Sequence, residues 1–155
     1  MVFSGRIVAI FVAPIGGAPM EHRDEIEAIA GAGLAGDRYA SHSGTYSDTG
    51  RGPRDVTLIE REAVDGARNE YGVELEERET RRNLVTEGVP LNHLVGQTFH
   101  VGTVRMRGIK LAEPCAYLEQ LSREGVRAPL VHRGGLRAEV LGDGTIRIDD
   151  RVEHE

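Results

Sequence analysis

Glycine occurs 20 times in this 155-residue chain, and this frequency is the feature that most limits what the chain can fold into. Glycine weakens the interior of a helix or a strand and favours turns, so we predict many short elements instead of long helices. The length fits one domain with its own hydrophobic core. The chain is therefore predicted to form a single domain over residues 1–155, in which short strands dominate.

Short apolar runs between the glycines have strand character, because they are rich in β-branched residues and alternate in polarity. The predicted strands span residues 6–14, 55–60, 83–87, 98–102 and 104–111, and a predicted hairpin over residues 136–153 turns at Asp143–Gly144. Helical spacing occurs at Ala63, Val64, Ala67 and Tyr71, and one or two helical turns are expected after Cys115. This pattern predicts mainly antiparallel β structure with a few short helices, arranged as a closed or half-closed barrel.

Charge and cysteine content argue against several kinds of partner. The net charge is −6 and the pI is near 5.5, whereas nucleic acid and anionic membranes require a basic surface. No apolar stretch approaches the length of a membrane span, and the first residues do not have the pattern of a signal peptide. The single cysteine cannot form an internal disulfide. We therefore expect a cytoplasmic protein without nucleic acid or membrane partners.

Arginine is unusually frequent, with 18 arginines against the single lysine, Lys110. Arginine suits bidentate binding of phosphate or carboxylate, so its clusters are informative. One cluster lies in residues 76–89, where an extended chain would place Arg81 and Asn83 on one face and Arg82 on the other. Such a pair can bind a phosphate or a planar heterocycle. The alternative interpretation is an exposed run of charges paired with the neighbouring glutamates, and the spacing by itself favours this alternative.

Two further segments are compatible with ligand binding. Glycines flank Asp37 and Arg38 in the sequence GLAGDRYA, which lets backbone amides approach a ligand, although an ordinary turn explains the pattern as well. Residues 41–54 are rich in Ser, Gly and Thr and are predicted to form a long flexible loop. The six histidines do not have the paired spacing of metal ligands, so no metal site is assigned to them.

Cys115 follows Pro114 and precedes the sequence AYLEQL. Proline favours the first turn of a helix, so we expect Cys115 to lie in that turn, where free N–H groups and the helix dipole stabilise a thiolate. A thiolate can carry sulfur or bind a soft metal. The alternative is a buried, inert cysteine that fills space in the core.

These segments, in this order, resemble the MOSC domain, the family named for the C-terminal domain of molybdenum-cofactor sulfurases, in its short stand-alone bacterial form. The resemblance is carried by GLAGDRYA, VTLIEREAV, RRNLVTEGVPLNHLVGQTFHVGTVRMRG, EPCAYLEQL and HRGGLRAEVLGDGTIRIDDRV, which together run from about residue 33 to residue 152. It implies a β-barrel with small helices that binds the molybdenum cofactor.

The resemblance also implies roles for individual residues. Cys115 would carry sulfur as a persulfide or ligate molybdenum. Arg81 would hold the cofactor phosphate, and Asn83 would form a hydrogen bond with the pterin. Asp37 and Arg38 match the Gly-Asp-Arg turn of the family. His132 and Arg133 match a C-terminal element near the mouth of the cofactor site.

Three functions remain open from the sequence. The first is a sulfur-handling domain that binds the molybdenum cofactor, whose enzymatic version is the terminal component of a reductase of N-hydroxylated compounds. The others are a non-catalytic cofactor carrier or chaperone, and a phosphate- or acid-binding β-barrel with an inert cysteine. A cysteine desulfurase or electron-transfer proteins would be the partners. Pyridoxal phosphate is not expected, because Lys110 lies in a strand-like run without a phosphate-binding glycine loop.

Overall fold

The computed structural model describes residues 1–45, 47 and 53–155. The described residues form eleven β-strands, three α-helices and two short 3-10 helices. The strands are β1 (Ser4–Val12), β2 (Glu21–Arg23), β3 (Glu25–Ile29), β4 (Gly33–Leu34), β5 (Val56–Glu60), β6 (Leu84–Glu87), β7 (Thr98–Val101), β8 (Val104–Leu111), β9 (Leu136–Val140), β10 (Gly144–Arg147) and β11 (Arg151–His154). The α-helices are α1 (Arg61–Tyr71), α2 (Ala116–Leu121) and α3 (Arg127–Leu130), and the 3-10 helices span Glu77–Thr80 and Leu91–Leu94.

Seven of these strands close into a barrel. Their order is β11-β7-β8-β9-β5-β6-β1, and β1 pairs with β11 to complete the circle. The pair β5–β6 is parallel, whereas the other neighbouring pairs of the barrel are antiparallel. Helix α1 lies between β5 and β6 in the chain, and parallel strands require such a crossover. The predicted mainly β barrel with a few short helices is confirmed, and the parallel pair is a departure from its antiparallel pattern.

Strand β10 does not belong to the barrel. It pairs instead within a second sheet of three strands, whose order is β10-β3-β4. The hairpin predicted over residues 136–153 is therefore wrong, because β9 pairs with β5 and β8 while β10 pairs with β3. The chain does turn at Asp143–Gly144, but the Asp143 carboxylate accepts a hydrogen bond of 2.8 Å from the Ala30 N–H, just after β3. The turn thus directs the chain into the second sheet instead of back along β9.

Two apolar clusters hold the fold together. The inner cluster fills the barrel and includes Ile7, Leu58, Leu84, Phe99, Met106 and Leu136. The outer cluster packs the opposite faces of the same strands against the helices and includes Phe11, Ile59, Val85, Leu118 and Leu130. Each fully buried large side chain contributes about 1.5–3 kcal/mol relative to exposure. Leu118 belongs to α2, so the outer cluster fixes the helix that follows Cys115 against the barrel.

Helix α1 has the predicted helical spacing. Its residues Ala63, Val64 and Ala67 are buried, whereas Tyr71 is 55% exposed. The helix ends at Gly72, whose φ of 67° is the left-handed conformation that glycine favours at this position.

The predicted Ser/Gly-rich loop over residues 41–54 lies partly outside the described residues, because residues 46 and 48–52 are not among them. Its described residues belong to neither helices nor strands. The Thr45 hydroxyl lies 3.0 Å from the Tyr117 hydroxyl. This contact brings the described part of the loop beside α2.

Candidate functional site

Asp37 is a fully buried carboxylate around which the polar residues of the candidate site are arranged. Its Oδ1 accepts hydrogen bonds from the Ala13 N–H (3.1 Å), Arg38 Nη1 (2.8 Å) and Asn83 Nδ2 (3.2 Å). Its Oδ2 accepts one from the Tyr39 N–H at 3.2 Å. Burial of a carboxylate is costly unless it is paired and hydrogen-bonded, and these contacts meet that requirement. The carboxylate therefore holds neighbouring residues of the site in position, and both of its oxygens are bonded within the protein.

Asn83 is also fully buried, and its amide is satisfied within the protein. Nδ2 donates to the Phe11 carbonyl at 3.0 Å and to Asp37. Oδ1 accepts from the Thr57 N–H at 3.1 Å and from the Thr57 hydroxyl at 3.3 Å. An amide has two donor hydrogens and two acceptor lone pairs, so these four bonds use its capacity. The structure thus places Asn83 behind the site as a positioning residue, which differs from the pterin contact that the resemblance implies.

Arg38 and Arg81 extend from this buried layer toward a cavity. Arg38 forms an ion pair with Asp37 and donates from Nη2 to the Arg81 carbonyl at 3.2 Å. Arg81 has a left-handed backbone with φ of 61°, and its Nη1 donates to the Ala18 carbonyl at 2.7 Å. Burial lowers the pKa of Arg81, and the nearby charge of Arg38 lowers it further. Two cations thus share a partly dehydrated setting.

Arg81 and Arg82 both line one cavity, which differs from the prediction that they would point to opposite faces. That prediction assumed a strand through these residues, but β6 begins at Leu84 and the left-handed backbone of Arg81 breaks the alternation. Arg82 donates from Nε to the Gly134 carbonyl at 2.7 Å and from Nη2 to the Ala112 carbonyl at 2.8 Å.

The surroundings of Arg82 link it to two more residues of the site. Burial lowers the pKa of Arg82 to about 10, and the charge of Arg137 is the second cause. Cys115 acts in the opposite direction and raises this pKa. Arg82 and Cys115 are therefore close enough to interact electrostatically.

Cys115 precedes α2 instead of lying within its first turn. The helix begins at Ala116, and Cys115 is the N-cap residue with an extended backbone of φ −140° and ψ 172°. Pro114 therefore lies before the cap and not at the first helical position, where it was predicted. Cys115 is partly exposed and packs against the outer cluster. This partial exposure differs from the full burial that the alternative interpretation assumes.

Two concave regions meet at Cys115. The first, which we call the arginine cavity, has a volume of about 60 Å³, and its walls include Arg38, Arg81, Arg82, Tyr39, Tyr117 and Cys115. The second, which we call the lateral cleft, has a volume of about 300 Å³ and is lined by Arg54, Lys110, Leu111, Ala112, Glu113, Cys115 and Arg137. Cys115 is the residue that these two linings share.

The two C-terminal residues implied by the resemblance lie outside the arginine cavity. The His132 side chain is 76% exposed, and its Nδ1 lies 2.7 Å from Glu113 Oε2. Arg133 donates from Nη1 to Glu70 at 2.9 Å and packs over Gly66 of α1. His132 thus contacts the lining of the site through Glu113, whereas the contacts of Arg133 are with α1.

Several residues of the site were not predicted from the sequence. Arg82, Arg137, Tyr39 and Tyr117 contribute to the two concave regions. Arg137 alternates with buried Leu136 and Ala138 along β9, so alternation could have placed it outside the barrel interior. Its proximity to Arg82 depends on barrel closure and has no local signal.

Among the described residues, no group of three or more His, Cys, Asp or Glu side chains is placed to hold a metal ion. None of the helices in the described part of the chain has the length and apolar character needed to cross a membrane.

The family model described as the MOSC domain matches residues 42–153. A search of curated proteins gives no match.

Solved structures share the fold at low sequence identity. The YuaD protein from Bacillus subtilis is similar with a TM-score of 0.79 and 14% identity, over 99% of this chain and 96% of that chain. YiiM from Geobacillus stearothermophilus has a TM-score of 0.68 and 16% identity, over 97% and 75% of the two chains. YiiM from Escherichia coli has a TM-score of 0.63 and 19% identity, over 100% and 70%.

Proposed function

The chain belongs to the MOSC domain family, and from this premise we propose that it binds the molybdenum cofactor, with Cys115 as its metal ligand or as a carrier of sulfur. The family is associated with molybdenum-cofactor binding. The observation that carries the proposal for this chain is the convergence of Arg38, Arg81 and Arg82 on a cavity that contains Cys115. Three cations beside one thiol form a site suited to an anionic ligand that also has affinity for sulfur.

The arginine cavity fits the phosphate end of this cofactor. About 10–15 Å³ of such volume accommodates one water molecule, so about 60 Å³ corresponds to roughly four to six waters, which is the scale of one phosphate group. A guanidinium has five N–H donors, and the two bonds of Arg82 to carbonyl groups leave others for a ligand. Bound phosphate would also offset the mutual repulsion of Arg38 and Arg81.

The residues around the cavity would have different roles in binding the cofactor. When bound, the molybdenum cofactor supplies a redox-active metal. Arg81 and Arg82 would hold its phosphate by charge-assisted hydrogen bonds, and Arg82 would keep Cys115 in the thiolate form that binds a soft metal. Asp37 and Asn83 hold Arg38 and the β1 backbone in place behind them.

The first test is cofactor retention after co-expression with an intact cofactor pathway. We expect wild-type protein to be purified with molybdenum and pterin, measured by metal analysis and pterin fluorescence. Arg81→Gln should reduce both several-fold, whereas Cys115→Ser should reduce molybdenum more than pterin. Arg147→Gln, at an exposed ion pair with Glu25, is the matched control. Wild-type protein without molybdenum, or equal retention by all three variants, would contradict the proposal.

A second candidate function is the terminal component of a molybdenum-dependent reductase of N-hydroxylated compounds, with electrons supplied by partner proteins. The lateral cleft favours it, because this cleft gives a small molecule access to Cys115. Loaded wild-type protein would then reduce an N-hydroxylated substrate with an artificial electron donor. Stable cofactor retention without any turnover would instead indicate a carrier or chaperone.

A further inference from the structure

Two cations face each other in the lateral cleft. Lys110 on β8 and Arg137 on β9 are direct partners in the antiparallel ladder. Residues paired in this way have Cβ atoms about 4.5–5.5 Å apart, and like charges at this spacing destabilise a sheet. The pairing follows a register shift between Gly108 and Lys110, so the irregularity of β8 sets which residue lies opposite Arg137. Arg54 adds a third cation to the lining of the cleft.

Arg137 also has unmet hydrogen-bonding capacity. Its Nε and Nη1 atoms are buried, and within the described part of the chain neither has a hydrogen-bond partner. A buried donor without an acceptor is costly, and the cost is larger for a charged group. Burial lowers the pKa of Arg137 and the charge of Arg54 lowers it further, while a hydrogen bond with the Tyr39 side chain acts in the opposite direction.

The acidic residue of the cleft is engaged elsewhere. Glu113 binds His132 twice, because Oε1 accepts from the His132 N–H at 2.7 Å and Oε2 lies 2.7 Å from its Nδ1. Glu113 is therefore directed to the rim, while the cations line the interior beside Cys115.

We propose that the lateral cleft is a second anion subsite, in which Arg137 binds the carboxylate or oxyanion group of a small molecule whose reacting part faces Cys115. This molecule is separate from the ligand of the arginine cavity, since Cys115 lies between the two regions. Its assignment as the reaction partner of a cofactor-loaded site rests on the proposed function. Binding of the anion itself does not, so it can be tested on cofactor-free protein.

Alkylation of Cys115 by a charged and a neutral reagent measures this subsite directly. In both reactions the thiolate sulfur bonds to the methylene carbon and iodide leaves with the electrons of the C–I bond, but only iodoacetate carries a carboxylate. We expect the ratio of the iodoacetate rate to the iodoacetamide rate to exceed that of free cysteine by about tenfold, the effect of one charge-assisted hydrogen bond. A wild-type ratio equal to that of free cysteine would overturn the proposal.

Variants assign the effect to Arg137. Arg137→Gln should remove most of the iodoacetate preference while the iodoacetamide rate stays within about twofold, and Arg137→Lys should retain part of it. Arg147→Gln, remote in the second sheet, should behave as wild type. If Arg81→Gln removes the preference and Arg137→Gln does not, the anion occupies the arginine cavity and the proposal is wrong. The unchanged iodoacetamide rate shows that each variant is folded around Cys115.

Inorganic sulfate distinguishes a separate molecule from an acidic group of the cofactor. Calorimetry should show sulfate binding to wild-type protein, weakened at least fivefold by Arg137→Gln. Protein loaded with molybdenum should bind sulfate as well, because the cleft remains available. Loss, on loading, of the component of sulfate binding that Arg137→Gln weakens would mean that the cofactor fills the cleft, which overturns the proposal of a separate ligand. Absence of loading contradicts the proposed function alone and leaves the alkylation test intact.

Discussion

Asp37 has a different role from the one that its position in a glycine-flanked turn suggests. Its carboxylate is fully buried and accepts hydrogen bonds from the Ala13 N–H just after β1, from Arg38 and from Asn83. The negative charge of Asp37 is important for stability, because its partner Arg38 is only 6% exposed and would otherwise be a buried charge without a counterion. The ion pair therefore holds together the layer that supports the arginine cavity.

We predict that Asp37→Asn lowers the free energy of unfolding by about 3–5 kcal/mol, the cost of leaving one buried charge without its partner. Denaturant unfolding with a linear extrapolation measures the loss. Glu25→Gln breaks the exposed pair with Arg147 and should cost less than about 1 kcal/mol. Similar losses in the two variants would contradict a structural role for the Asp37–Arg38 pair.

Cys115 is predicted to react as a thiolate at lower pH than free cysteine. The Arg82 guanidinium interacts with it, and cations lower the pKa of a thiol from its usual value of about 8.5. The rate of reaction with neutral iodoacetamide should thus reach half its maximum below about pH 8.5. Arg82→Gln should move this midpoint upward, whereas Arg133→Gln should leave it unchanged, because Arg133 faces α1. A midpoint at or above the value of free cysteine would favour the inert-cysteine alternative.

At the scale of elements, the turn before β9 connects the site to the barrel. Gly134 provides the carbonyl that accepts from Arg82, and Gly135 follows with φ of 107°. A Cβ atom on Gly135 would lie 2.0 Å from the Leu58 carbonyl oxygen on β5. Glycine is required here by both the backbone conformation and the close approach of a neighbouring strand.

Gly135→Ala should lower the free energy of unfolding by at least about 2 kcal/mol, since it combines backbone strain with a clash against main chain. Gly142→Ala is the matched control, because a Cβ there meets no atom within 4 Å. Thermal unfolding monitored by circular dichroism measures both variants. A neutral Gly135→Ala would show that β9 can shift away from β5 without loss.

Local sequence patterns predicted some secondary-structure elements correctly and others incorrectly. Helix α1 was predictable because its apolar spacing and its terminal Gly72 are local features. The hairpin was not, because Asp143–Gly144 specifies a turn without specifying the strand that β10 pairs with. Helix α2 begins at Ala116, two residues after the predicted start at Pro114, so Cys115 is the N-cap residue and does not lie in the first turn.

At the scale of the whole molecule, positive charge is concentrated where the net charge does not predict it. The chain carries a net charge of −6, yet Arg38, Arg81 and Arg82 meet in one cavity.

Burial also shifts the pKa of an acidic side chain. Asp55 is 7% exposed, its Oδ2 accepts from the Val140 N–H at 2.9 Å, and burial raises its pKa, with the charge of Glu139 as a further raising cause.

The raised pKa of Asp55 predicts a pH dependence of stability. The unfolded chain loses this proton near pH 4, whereas the folded protein retains it to higher pH, so the unfolded state binds fewer protons in between. The contribution of Asp55 is thus fully present below about pH 4 and declines as the pH rises through the folded-state pKa.

Asp55→Asn keeps an acceptor for Val140 without the charge. The difference in free energy of unfolding between variant and wild type should shift in favour of the variant from pH 4 to pH 7. Denaturant unfolding across this range measures it. A constant difference would show that Asp55 titrates at the same pH in both states.

The sequence by itself determined the features that arise within a few residues: the short strands, helix α1, the turns at glycine, and a cysteine beside the start of a helix. The ordered motifs also carried the resemblance to the family. Only the tertiary structure decided that Arg82 donates to the Gly134 carbonyl, that Asn83 is enclosed, and that Lys110 faces Arg137. These contacts join residues far apart in the chain through strand register and barrel closure, and a register shift of one residue redirects every side chain of a strand.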